Sequence, residues 1–149
     1  MREAIKLSIQ NVDENGGPFG AIIVKDGEVI ARGVNRVTSN NDPTAHAEVN
    51  AIREASARLG TFDLQGCEIY SSCEPCPMCL GAIYWARLDK LYFANTKQDA
   101  KEIDFDDSFI YEELELSVQN RKIPTTQILR DEAIEAFNKG RNKTDKIEY

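Results

Sequence analysis

Thr44-Ala45-His46-Ala47-Glu48 and Pro75-Cys76-Pro77-Met78-Cys79 are the two stretches that decide how this chain is read. His46 is its only histidine, and two residues separate Cys76 from Cys79. An imidazole and two thiolates make three ligands for zinc, which prefers four in a tetrahedral arrangement. Three protein ligands leave one position for water, the pattern of a catalytic rather than a structural site. Glu48, two residues past His46, is placed to shuttle the proton of that water. Cys-x-x-Cys alone is shared by redox pairs and zinc ribbons. The histidine, the carboxylate and the two flanking prolines make the combination far more specific. Reading His46 as a core histidine and the cysteines as buried apolar residues would explain neither the spacing nor the order.

Outward from the motif, both halves fall at helix starts. Thr44 is the expected cap of a helix in which Ala45, Val49, Ile52, Ser56 and Leu59 recur at helical spacing and which Gly60 ends. Glu48 shares a second stripe with Ile52, Ala55 and Leu59, where a carboxylate is unusual unless bound or functional. Residues i and i+2 point apart inside a helix, so His46 and Glu48 share a pocket only at its N-terminus. Cys76 and Cys79, at i and i+3, fall on one face of the first turn of a second helix. Leu80, Ile83 and Ala86 continue that helix, and Trp85 is expected in the core. Helix N-termini favour anions and lower thiol pKa, so two helix starts are expected to converge on the metal.

The rest of the chain alternates strands and helices. Arg2–Val12 places Ile5, Ile9 and Val12 on one helical stripe, expected to pack on a sheet. Phe19–Val24 and Val29–Val34 read as strands, with Asp26-Gly27 between them as a strong hairpin signal. Ala21–Val24 lacks alternation and is expected to be covered on both faces. Asn35 follows the second strand, and spacing alone favours turn chemistry there over ligand binding. Glu68–Ser72 and Leu88–Ala94 are a third and fourth strand, and Thr125–Leu129 is expected as a short fifth. One of Asp106, Asp107 and Ser108 is expected to cap a short helix. Asp131–Lys139 reads as a last helix, with Ile134 and Phe137 inward and Gly140 ending it. This is the pattern of a layered α/β domain.

With 149 residues, 42% hydrophobic and 29% charged, the chain has the make-up of one ordinary globular domain spanning 1–149. No apolar run approaches the roughly 20 residues of a membrane span. No targeting segment is read at the N-terminus, and a reducing, cytoplasmic compartment is expected. That favours metal binding over disulfides for the four cysteines, with Cys67 and Cys73 as buried structural residues. The net charge is −7, from 18 basic and 25 acidic residues. No basic stretch suited to a polynucleotide interrupts that balance, which argues against a nucleic-acid partner.

The order H-x-E followed by P-C-x-x-C is that of the zinc deaminases. Thr44–Ile52, Ser72–Arg87 and Phe105–Tyr111 together resemble a small zinc-dependent guanine deaminase of the cytidine/deoxycytidylate deaminase superfamily, from Gly16-Gly17-Pro18-Phe19-Gly20 to Glu148-Tyr149. The metal motif marks the superfamily. Phe105-Asp106-Asp107-Ser108-Phe109-Ile110-Tyr111 and the terminal tyrosine point to the guanine branch. The resemblance implies a three-layer α-β-α sandwich with a five-stranded mixed sheet. It implies one Zn2+ per chain, held by His46, Cys76 and Cys79, with Glu48 as main proton shuttle. Asn35 would bind the purine, Phe19 would stack near it, and Asp107 would engage and protonate the departing amino group. It further implies a homodimer in which the C-terminal segment, about residues 130–149, exchanges between subunits and Tyr149 seals the pocket.

The implied reaction is hydrolysis of guanine to xanthine and ammonia. Three other readings compete with it. One is deamination of another base: cytosine, an aminotriazine or adenosine in tRNA. The second is a non-catalytic zinc-binding module. The third is a Cys-x-x-Cys redox protein, which leaves His46 and Glu48 without a role.

Overall fold

Asp26 and Gly27 both have left-handed backbone, with φ of 51° and 80°. That is the conformation of a two-residue type I′ turn. It folds Gly20–Lys25 (β1) antiparallel onto Glu28–Val34 (β2), with Lys25 opposite Glu28 and Gly20 opposite Val34. Cys67–Cys73 (β3) joins the other edge of β1 antiparallel, and Lys90–Asn95 (β4) joins β3 in parallel. The mixed sheet has four strands, in the order β2-β1-β3-β4. β1 is buried along Gly20–Ile23, as expected of a strand covered on both faces.

The computed structural model describes residues 1–149, which divide into two units, Met1–Ser108 and Phe109–Tyr149. In the first, Arg2–Asp13 (α1) precedes the hairpin, and Val37–Asn40 (α2) is a single turn after β2. Ala47–Leu59 (α3) leads to β3, Pro77–Trp85 (α4) links β3 to β4, and Lys97–Glu102 (α5) follows. Side chains alternate along a strand, so Gly20 faces one side of the sheet and the cross-strand pair Ala21 and Gly33 face the other. A Cβ on Gly20 would lie 2.6 Å from the Ala4 carbonyl of α1, and one on Gly33 would lie 2.5 Å from the Ala51 amide of α3. α1 and α3 therefore cover opposite faces. Residues from β1–β3, α3 and α4 form the core, among them Ile23, Ala51, Ile69 and Ile83, with Leu64 from the α3–β3 loop.

These close approaches correct the expected helix faces. α1 buries Ala4, Ser8 and Asn11, while Ile9 and Val12 are 62% and 52% exposed. With α1 so near Gly20, there is no room for isoleucine between helix and sheet. In the same way α3 buries Ala47, Glu48, Ala51 and Ala55, with Ile52 and Leu59 only partly covered. Trp85 is not in the core but 66% exposed. Gly60 ends α3 in left-handed conformation, as expected.

The second unit continues Ser108–Glu115 (α6) into a 3₁₀ turn, Val118–Asn120, and then Arg130–Asn142 (α7). Glu113 accepts a hydrogen bond from the Lys122 amide at 2.8 Å. Thr125–Leu129, expected as a fifth strand, is not one: no neighbour supplies a ladder for its backbone, and its side chains are exposed. α7 runs through Gly140 instead of ending there, and Phe137 is exposed rather than inward.

Candidate active site

Two of the motif residues occupy the same structural position. His46 is the N-cap of α3 and Cys76 the N-cap of α4, both with extended backbone (φ −71°, ψ 157° and φ −64°, ψ 168°). Pro77 follows at the first helical position, where its fixed φ suits the helix and its missing N–H costs nothing. Thr44, the expected cap, is instead tied to Asp42 by its amide (2.8 Å) and hydroxyl (2.7 Å). Neither N-cap side chain caps its own helix, and the two meet. His46 Nδ1 stands 3.6 Å from Cys76 Sγ and 3.4 Å from Cys79 Sγ. The three ligand atoms lie within 4.8 Å of one another.

The donor set fits zinc. A sulfur at ~2.3 Å and a nitrogen at ~2.05 Å from one tetrahedral ion stand about 3.6 Å apart, the separation found here. Electrostatics agree. A hydrogen bond from the Cys79 thiol, with help from His46, brings the Cys76 thiol down to about 4. The same bond, with burial, pushes Cys79 far up. His46 is raised, chiefly by its hydrogen bond with Cys76. The two sulfurs thus share a proton, because two thiolates this close repel each other. A divalent cation relieves that repulsion, and both helix N-termini add positive potential.

Glu48 is in the first turn of α3, 6% exposed. Ser71 Oγ of β3 donates to its Oε1 at 3.0 Å. Desolvation raises the Glu48 carboxyl, opposed by its own backbone amide and by hydrogen bonds from Cys79 and Ser71. A buried acid whose carboxyl is raised by desolvation is suited to proton transfer. Because His46 is the cap and not an interior residue, the two-residue spacing does bring it and Glu48 together. Sequence reasoning missed Ser71. A serine pair inside a strand carries no spacing signal, and only the pairing of Ser71 with Ala21 places it beneath α3.

The other expected residues of the first unit gather at the same end of the sheet. Phe19 immediately precedes β1 and Asn35 follows β2, and the Asn35 amide donates to the Phe19 carbonyl at 3.2 Å. Phe19 packs edge-to-face on Phe105, with ring centroids 5.1 Å apart. Asn35 is buried, and its Oδ1 accepts the Val37 amide at 3.3 Å, so it forms the turn expected from spacing. Asp106, not Asp107, takes the capping role: its Oδ1 accepts the Ser108 amide at 3.0 Å. Asp107 is half-buried, and burial first, then the Cys76 thiolate, raises its carboxyl. Cys67 and Cys73 are buried free thiols, as expected, and burial pushes Cys73 up to about 11. Tyr149 belongs to the second unit.

Residues 1–95 match the cytidine and deoxycytidylate deaminase zinc-binding region. The chain belongs to that family, and its cofactor is zinc. It is 51% identical over 150 aligned residues to the guanine deaminase of Bacillus subtilis, covering 100% of this chain and 96% of that enzyme. The crystal structure of guanine deaminase from Bacillus subtilis superposes with a TM-score of 0.96 at 52% identity, covering 99% of this chain and 95% of that one. The tRNA-specific adenosine deaminase of Aquifex aeolicus is 44% identical over 94 residues, 63% of this chain and 62% of that enzyme.

Proposed function

We propose that this protein hydrolyses guanine to xanthine and ammonia. One observation carries the choice of base. Similarity to the Bacillus subtilis guanine deaminase spans the whole chain, residues 109–149 included, whereas similarity to the tRNA-specific enzyme extends over 94 residues. The charge of −7 weighs the same way, since a polynucleotide substrate calls for a basic face.

His46, Cys76 and Cys79 are the metal ligands in this reading. When bound, zinc supplies a water acidified toward neutral pH and a Lewis acid beside the reacting carbon. Glu48 takes the proton released by the attacking water and delivers it to the ring nitrogen N3. The second proton goes to the amino group, with Asp107 engaging that group and assisting, so that ammonia departs and the C2 oxygen remains in xanthine. Asn35 offers its Nδ2 to the base, and Phe19, braced by Phe105, stacks near it. Ser71 holds the Glu48 carboxylate by a buried hydrogen bond from β3.

The working form is a homodimer in which the C-terminal segment, about residues 130–149, exchanges between subunits and Tyr149 closes the site. Support comes from α4, which is apolar all round yet leaves Tyr84 76% exposed. Such a helix calls for a cover. β4 adds an open sheet edge with Tyr92 and Phe93 exposed. No helix is long and apolar enough to cross a membrane, in keeping with a cytoplasmic enzyme.

The test is ammonia release from guanine by the zinc-loaded protein, with adenine, cytosine, cytidine and an aminotriazine alongside. Xanthine and ammonia appearing in equal amounts from guanine alone are the expected result. Turnover of another base with guanine untouched would move the activity within the family. Release from none would leave a zinc-binding module.

A further inference from the structure

Among the buried polar residues the mechanism does not use, Asn11 is the most deeply buried. Asn11 lies in the last turn of α1 and is 1% exposed. Its Nδ2 donates to two backbone carbonyls, Gly17 O at 2.7 Å and Asn35 O at 2.9 Å. Only the amide nitrogen can serve two carbonyls, so its orientation is fixed. Gly17 leads into Phe19, and Asn35 is the residue read above as holding the base. Asn11 therefore ties both walls of the base site to α1.

We propose that Asn11 is a positioning residue for purine binding, holding Asn35 and the Gly17–Phe19 turn in register through its side-chain amide. This rests on the reading of Asn35 as a base ligand. Two independent features support it. The Asn11 Oδ1 is buried and has no hydrogen-bond partner. A residue needed only to fill space would be apolar there. A half-satisfied amide is kept where its two donor bonds outweigh the orphaned acceptor. The second feature is Gly16. A Cβ at that position would meet Asn11 Cγ and Oδ1 at 2.6 Å, inside contact distance. The backbone of Gly16 is not left-handed, and the nearest atoms an alanine there would meet all belong to Asn11.

Gly17 tightens the same joint. A Cβ on it would stand 3.0 Å from the Asn35 carboxamide, at the limit of contact. The amide of Asn35 in turn reaches the Phe19 carbonyl. The chain of contacts thus runs from Asn11 to Gly17 and Asn35, and from Asn35 to Phe19, without involving any metal ligand.

The test compares Asn11→Ala and Gly16→Ala with the zinc-loaded wild type, measuring KM and kcat for guanine, zinc content and Tm. Each variant is expected to raise KM about tenfold, the effect of losing buried hydrogen bonds that hold a ligand group. The same variants should keep one zinc per chain and a kcat within about threefold. The double variant should bind guanine no worse than Asn11→Ala, because removing the amide clears the space that a methyl group at position 16 needs. A fall in Tm with KM unchanged would make Asn11 purely structural and overturn the proposal. So would a loss of kcat in step with a loss of zinc. If Asn11→Ala does not fold, Gly16→Ala carries the same KM test. Absence of guanine turnover in the wild type would instead sink the proposed function.

Discussion

Gly33→Ala puts the coupling between strand and site to a direct test. Gly33 is in β2, against the first turn of α3, between the turns that carry Ala47 and Ala51. An added methyl would run into the Ala47 carbonyl, stand 2.5 Å from the Ala51 amide nitrogen and touch its Cβ at 3.0 Å. Ordinary contact needs about 3.5 Å, so α3 must withdraw by roughly 1 Å or β2 must bend away. The obstructing atoms are backbone within a helix, so no side-chain rotation relieves them. Overpacking of this kind costs ~1–3 kcal/mol, a fall in Tm of roughly 3–10 °C for a chain of this size. Ala47 lies between His46 and Glu48, so the withdrawal carries a metal ligand and the proton shuttle with it. A misplacement near 1 Å costs about a hundredfold in rate.

Gly27→Ala is the companion measurement. Gly27 has φ of 80° and nothing within 4 Å of an added Cβ. Alanine there suffers backbone strain of ~1–2 kcal/mol at the hairpin turn, at the opposite end of β2 from Gly33. Both variants are expected to melt early, but only Gly33→Ala should lose kcat per bound zinc, by about two orders of magnitude. The assay is steady-state ammonia release on protein whose zinc content and folded fraction are known. A folded, zinc-loaded Gly33→Ala enzyme with kcat within twofold of wild type would refute the close approach of β2 and α3 as a determinant of the site.

Glu48→Gln should retain zinc and lose turnover by ~10²–10⁴, the usual contribution of a general acid/base; near-normal activity would remove Glu48 from the proton path. Ser71→Ala takes away the hydroxyl 3.0 Å from Glu48, and a hydrogen bond to a charged group is worth ~1.5–3 kcal/mol. kcat should therefore fall between about ten- and a hundredfold with zinc content unchanged, and equal kinetics would make Ser71 a bystander. Asp106 is held down to about 2 by the Ser108 hydroxyl and amide and by Lys101. A depressed carboxyl stabilises the fold above its unfolded value of about 3.9, and that contribution disappears as pH falls toward 2. Asp106→Asn should flatten denaturant midpoints between pH 4 and pH 2 relative to wild type, and parallel profiles would count against the interaction.

The chemistry of this chain was legible because it is local in sequence. His46 with Glu48, and Cys76 with Cys79, are short spacings, and each falls where a helix begins, so geometry follows from the helix start alone. The Asp26-Gly27 hairpin was legible for the same reason, since its two left-handed residues specify the turn. What failed were the expected helix faces, which depended on how near helix and sheet approach. Ile5, Ile9 and Val12 make an apolar stripe, but α1 turns Ala4, Ser8 and Asn11 inward instead. Apolar periodicity presumes a helix standing off the sheet by the depth of a large side chain. Where a glycine removes that depth, the small residues win the interface and the large ones are displaced to its margins. Thr125–Leu129 failed differently: its composition suits a strand, but strand formation is decided by a neighbour, and none is adjacent in the sheet.

Gly20 and Gly33 carry that argument into the site. They sit on adjacent strands and face opposite sides of the sheet, and each admits one helix to near backbone contact. The helix on Gly33 presents His46 and Glu48 at its start; the helix on Gly20 presents Asn11 at its end. The wall proposed to bind the base and the metal wall are thus referred to the same two strands, within one residue of each other in register. A larger residue at either glycine would move one wall relative to the other. The site's geometry depends on the absence of two side chains as directly as on the presence of its ligands. The two effects separate experimentally, because ligand loss removes zinc whereas a displaced wall leaves zinc bound and changes KM or kcat.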